Sequence, residues 1–184
     1  MKKVAVMLAP GYEEGEALFV VDIIRRGGFE VDAVGLEGIE VTGAHEITAK
    51  ADVVFDGSLA GYDLVVLPGG YGGAAAMRDN DAFLAALREV NEREGMIAAI
   101  CAAPIALDRA GLLEGKRFTC YPTTAQQIDA DATWVDEIVV RDGNFVFSQG
   151  PGTTLHFAYA LVEFLGGEAN KLREAMLYNK VLAA

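Results

Sequence analysis

Short, almost wholly apolar runs alternate with amphipathic stretches along this chain, and no other feature constrains its fold so strongly. Val4–Ala9, Leu64–Leu67 and Met96–Ile100 are too short to be self-contained helices and lack the polar alternation of a strand with one wet face. Such runs are strands buried on both sides, as in a mostly parallel sheet covered by helices. Helical patterns cover Glu13–Arg26, ended by Gly27-Gly28, then Asp81–Glu94, and Ala102–Ala110, capped by Gly111. Two more, Thr154–Leu165 and Glu168–Tyr178, close the chain. Further strands are expected at Glu30–Gly35, Glu46–Thr48, Val53–Phe55 and Phe118–Cys120. Ile138–Val140 and Asn144–Phe147 read as a hairpin about Asp142-Gly143. With no repeat, low-complexity tract or linker, residues 1–184 are expected to form one doubly wound α/β domain.

Composition narrows the function class. Hydrophobic residues make up 52% of the 184 and charged residues 23%, a balance that supports a packed core rather than disorder. The formal net charge of −12 argues against nucleic acid or an anionic membrane surface as the main partner. The first apolar run stops at Pro10, so it reads as a buried strand and not as a secretory signal, and no stretch approaches the length of a membrane span. Cys101 and Cys120 are therefore expected to be reduced thiols in a cytoplasmic protein.

In a doubly wound sheet, ligands bind beyond the carboxyl ends of the strands. The residues in that position are Gly11–Glu16, Gly69-Gly70, Cys101-Ala102 and Tyr121. Cys101 stands where a buried strand runs straight into a helix, among small residues that allow a sharp turn. Nearby N–H groups and the helix dipole would favour its thiolate, and Pro104 suits the first turn. The plainer alternative is a buried cysteine that fills space. Glu16 lies in line with Val20 and Ile23 on the apolar stripe of its helix, whereas Asp22, Arg25 and Arg26 mark the opposite face. A carboxyl there is either a first-turn partner of the dipole, as suits Glu13 and Glu14, or a protonated group that donates to the Cys101 sulfur. Gly69-Gly70 is either a plain tight turn or a place where a backbone N–H, with that of Ala102, faces a developing oxyanion. Tyr71-Gly-Gly-Ala is not a phosphate loop, since no Gly-Lys-Ser/Thr follows. His156, inside a helix, reads as structural, and His45 lies in an irregular region. No His, Cys or carboxylate set shows metal-ligand spacing, so neither metal nor cofactor is expected. Cys120 is either a buried strand residue or a second, slower thiol.

Taken together and in order, Gly11-Tyr-Glu-Glu-Gly-Glu16, Val65-Val-Leu-Pro-Gly-Gly70, Ile97-Ala-Ala-Ile-Cys-Ala-Ala-Pro104 and Ser148-Gln-Gly-Pro-Gly-Thr153 resemble the ThiJ/PfpI superfamily over nearly the whole chain. The similarity is to the small subgroup that includes the parkinsonism-linked deglycase and its bacterial relatives. The resemblance implies a flavodoxin-like sandwich and a homodimer. It also implies Cys101 as nucleophile and oxidation site, Glu16 as its protonated partner, and Gly70 with Ala102 as oxyanion donors. Several members carry a histidine before the proline at Pro122; here Tyr121 stands in that place, and a phenol with a pKa of about 10 is a poor general base at neutral pH. A Cys–His peptidase is thereby disfavoured. The implied activity is cofactor-independent glyoxalase or deglycase chemistry on methylglyoxal, glyoxal or early glycation adducts. The alternative is a redox-responsive stress protein or chaperone whose Cys101 is oxidised to sulfinic acid without turnover. A glutamine amidotransferase would need a downstream His and Glu, and the only later histidine is His156.

Overall fold

The computed structural model describes residues 1–183. In chain order the elements are β1 (Lys3–Leu8), α1 (Glu14–Arg26), β2 (Glu30–Gly35), β3 (Glu40–Thr42), β4 (Thr48–Lys50), β5 (Val53–Val54) and β6 (Leu64–Leu67). Next come α2 (Tyr71–Arg78), α3 (Asp81–Glu92), β7 (Met96–Ile100), α4 (Pro104–Arg109), β8 (Arg117–Phe118) and β9 (Thr133–Trp134). The chain ends with β10 (Val139–Asp142), β11 (Phe145–Ser148), α5 (Thr154–Phe164), α6 (Ala169–Ala175) and α7 (Tyr178–Leu182).

Seven strands form the main sheet in the order β10-β11-β7-β6-β1-β2-β5, and every neighbouring pair is parallel except β10 with β11. The period of two along β1 divides the core. Ala5 and Met7 face one side with Met77, Phe83, Leu87 and Leu107 from α2, α3 and α4. Val4, Val6 and Leu8 face the other with Val20, Ile23 and Ile24 of α1 and Phe157, Leu161 and Val162 of α5. The chain leaves β1 toward β2 and later returns to β6 on the other side of β1, so the crevice at the topological switch lies between the ends of β1 and β6, with β7 beside it.

Local chemistry sets the element ends. Asn80 caps α3 by accepting the Phe83 N–H at 2.9 Å. Arg25 and Arg26 suit the last turn of α1, and Gly28 at φ +82° lets the chain leave in the left-handed region. The hairpin about Asp142-Gly143 forms as expected, with β11 parallel to β7.

Several boundaries differ from the sequence reading. The segment expected as a strand at Glu46–Thr48 begins in a turn: Glu46 takes φ +64°, and the hairpin pairs β3 with β4 on either side of it. The run after Gly70 forms helix α2 in spite of its glycines. Gly72 and Gly73 are needed there because a Cβ on them would come to 3.1 Å from Gly11 Cα and 2.8 Å from Tyr12 Cα. Phe118–Cys120 is strand only through Phe118, which pairs with Trp134. The last expected helix is broken at Leu177, φ +61°, into α6 and α7. The helix expected from Ala102 starts at Pro104.

Candidate active site

The elements at the switch bring Glu16, Gly69, Gly70, Cys101 and Ala102 together. Cys101 follows β7 directly and holds φ +63°, a left-handed conformation that a non-glycine residue adopts only when its surroundings enforce it. The enforcement is visible: the Cys101 N–H donates to the Ser148 carbonyl at 3.1 Å, and the Cys101 carbonyl accepts the Tyr121 N–H at 3.0 Å. Ser148 is itself buried, its hydroxyl 2.6 Å from the Ile138 carbonyl and 2.8 Å from Thr153 Oγ1, and the Gly150 N–H donates to Thr153 Oγ1 at 3.0 Å. The Ser148–Thr153 motif thus fixes the strand end against which Cys101 turns. That role was not legible in the sequence, where the motif served only as a mark of resemblance.

Gly69 explains why a residue without a side chain ends the β6 loop. A Cβ at Gly69 would lie 2.5 Å from Cys101 Cβ, 2.7 Å from Glu16 Oε2 and 3.0 Å from the Ala102 nitrogen. The cysteine and the carboxyl therefore meet over the bare face of this residue. Gly70 sits at φ +81°, and a Cβ there would come to 2.4 Å from the Gly11 carbonyl oxygen. The Gly70 and Ala102 N–H groups favour the Cys101 thiolate.

Glu16 is completely buried on α1 and accepts the Gly69 N–H at 2.7 Å through Oε2, while Oε1 has no conventional hydrogen-bond partner. Burial pushes its carboxyl up to about 7; the Gly69 N–H and the Cys101 thiol oppose this, and the nearby Glu13 charge adds to it. Burial also pushes the Cys101 thiol up, and the Glu16 charge pushes it further, to about 12, against the Gly70 and Ala102 N–H groups. A helix from Ala102 was expected to hold this thiol low. The helix proper begins only at Pro104, and desolvation outweighs the remaining donors. The two groups titrate as a pair: a thiolate is favoured when Glu16 holds the proton and opposed when Glu16 is ionised.

Glu14 is more than a partner of the helix dipole. It is buried and accepts the His45 N–H at 2.8 Å, with His45 Nδ1 2.9 Å from its other oxygen. Although burial raises Glu14, these bonds bring it below the usual carboxylate range, and the Glu14 contact raises His45. Glu13, Glu14 and His45 offer ligand atoms within 4.8 Å of one another, a grouping that sequence spacing did not reveal because His45 arrives from the β3–β4 turn. The His45–Glu14 pair and the backbone bonds already satisfy it. His156 has the structural role expected, with Nδ1 2.9 Å from the Tyr178 hydroxyl. Both cysteines are free thiols. Among the described residues no helix is long and apolar enough to cross a membrane.

A mostly parallel α/β sandwich with a strained cysteine at a strand end and a buried carboxyl beside it is a flavodoxin-like protein. The DJ-1/PfpI family matches residues 2–164, and the chain belongs to that family. Protein dj-1beta of Drosophila melanogaster is 40% identical over 173 residues, 91% of each chain. Its crystal structure superposes with a TM-score of 0.92 at 37% identity, covering 96% of this chain and 97% of that one. A deglycase of Thermococcus kodakarensis is 32% identical over 165 residues, 89% of this chain and 99% of its own. The structure of oxidised Toxoplasma gondii DJ-1 has a TM-score of 0.90 at 34% identity, covering 96% of this chain and 98% of that one.

Proposed function

We propose that the chain is a cofactor-independent glyoxalase or deglycase in which Cys101 is the nucleophile and Glu16 carries the proton. The observation that carries this reading is the meeting of Cys101 and the buried Glu16 over Gly69, with burial pushing the carboxyl up to about 7. The deglycase relative supports it. The Cys101 sulfur adds to the aldehyde carbon of methylglyoxal while its proton passes by way of Glu16 to the carbonyl oxygen, where the developing charge faces the Gly70 and Ala102 N–H groups, so that Glu16 is left ionised. Glu16 moves a proton from the former aldehyde carbon to the neighbouring carbonyl carbon by way of an enediol, converting the hemithioacetal to the thioester of a hydroxy acid. Water then cleaves the thioester, releasing lactate and restoring the thiol. Oxidation of one carbon balances reduction of its neighbour, so no external electron carrier enters. Tyr121, a poor base, leaves Glu16 as the proton carrier. Early glycation adducts would be attacked at the same sulfur.

The test is lactate formation from methylglyoxal by the purified protein without added cofactor, followed by proton NMR. Sustained turnover supports the reading; a Cys101 that alkylates normally while no lactate forms overturns it. A second reading, oxidation of Cys101 to a sulfinic acid as a stress response, is favoured by the oxidised state of the Toxoplasma relative. Peroxide titration separates the two: stoichiometric oxygen uptake at Cys101 by intact mass, with no turnover before oxidation, would favour the second. We further propose a homodimer through α1, which exposes Leu18 and Phe19 beside Gly15, with both thiols reduced in the cytoplasm. Sedimentation equilibrium of Phe19→Glu against wild type tests the dimer.

A further inference from the structure

The two segments that flank Cys101 are fastened to each other by a single side-chain hydrogen bond. On one side, Tyr71 begins α2 directly after Gly70, whose N–H reaches the Cys101 sulfur. On the other, Tyr121 donates its N–H to the Cys101 carbonyl, and Thr123 follows two residues later. The Tyr71 hydroxyl and Thr123 Oγ1 lie 3.0 Å apart at the exposed surface. Among the described residues no other side-chain hydrogen bond joins residues 119–124 to the wall that carries Gly70 and α2. The Cys120 thiol donates to the neighbouring Tyr121 carbonyl, and the buried hydroxyls of Thr119 and Thr124 have no partner. The Tyr121 ring rests against Gly150, where a Cβ would come to 3.3 Å from Cδ2, so the wall carrying Tyr121 is backed on its far side.

Resting on the reading of Cys101 as nucleophile, we propose that the Tyr71–Thr123 pair determines specificity: it clasps the two walls of the Cys101 crevice and selects small, unbranched α-oxoaldehydes over those bearing a ring or a branched chain. Tyr71 and Tyr121 are both exposed aromatic residues, one on each wall, and the clasp fixes the separation between the walls. A hydrogen or methyl substituent passes with the clasp closed, whereas a bulkier one requires it to open. Both residues are positioning residues that act through the width of the crevice and not on the reacting atoms.

The test compares alkylation of Cys101 by iodoacetamide and by N-phenylmaleimide, read by peptide mass spectrometry, in wild type, Tyr71→Phe, Thr123→Val and Thr123→Ser. These substitutions remove or keep one exposed hydroxyl. The ratio of bulky to small reagent rates is expected to rise about fivefold in Tyr71→Phe and Thr123→Val, the factor expected for one neutral hydrogen bond. Thr123→Ser is expected to keep the wild-type ratio, and phenylglyoxal should gain on methylglyoxal in kcat/KM by a similar factor in the first two variants. An unchanged ratio in both variants lacking a hydroxyl overturns the clasp while leaving the Cys101 chemistry standing. A Cys101 that reacts with neither reagent in any form overturns the nucleophile reading, and the clasp with it.

Discussion

The corner at Cys101 and the strand end at Cys120 put the same chemical group under the same pressure in different surroundings. Burial pushes both thiols up to about 12. Cys120 is fully buried and donates to the Tyr121 carbonyl at 3.3 Å, with a hydrogen bond involving Trp134 acting against the shift. Cys101 is only partly buried, its backbone is held at φ +63°, two N–H groups reach its sulfur, and a carboxyl raised to about 7 stands beside it. The difference between the two lies in what surrounds each sulfur and not in its desolvation. Reactivity requires donors for the charge and a neighbour that can hold the proton.

The sharpest way to break this comparison is to remove each sulfur. Cys101→Ser is expected to lower methylglyoxal turnover by about a thousandfold or more, measured as lactate formation. Next, Glu16→Gln should cost about a hundredfold or more in kcat through loss of the proton carrier. The same variant gives a stability signature. Glu16 is raised from 4.5 to about 7, so the native state holds the proton more tightly than the unfolded chain. Its contribution to stability is full below about pH 4.5 and is lost as pH rises through about 7, amounting to about 3 kcal/mol. Urea unfolding of wild type should show this loss across that window, and Glu16→Gln should flatten it; parallel curves would remove Glu16 from the pair. Gly69→Ala, which puts a methyl between the sulfur and the carboxyl, is expected to cost about a hundredfold in turnover by misplacing both. Its alkylation rate should fall in step. The smallest effect belongs to Cys120→Ser, whose turnover should stay within about twofold of wild type although its melting temperature falls. A Cys120 variant as inactive as the Cys101 variant would erase the distinction.

Much of the fold was legible because it rests on local pattern. The apolar runs at Val4–Ala9, Leu64–Leu67 and Met96–Ile100 became buried parallel strands, and the crevice rule pointed to the residues at their ends before any contact was known. Cys101 and Glu16 were legible too, one from its corner among small residues and the other from a carboxyl on an apolar stripe. The misjudged boundaries share a cause. Tyr71–Arg78 is helical because its glycines fit against Gly11 and Tyr12, residues about sixty positions away in sequence. Leu177 and Glu46 take left-handed conformations that their residue types disfavour.

The sequence by itself determined the layering, the switch point and the identity of the cysteine and carboxyl, because hydrophobic period and residue type carry that information. Only the tertiary structure decided how these groups act on one another. Gly69 had to be bare for Cys101 and Glu16 to meet, Ser148 had to hold the corner, and Thr123 had to reach Tyr71. The proton balance between thiol and carboxyl likewise depends on burial and distances of a few ångströms between residues far apart in the chain, which no local pattern encodes.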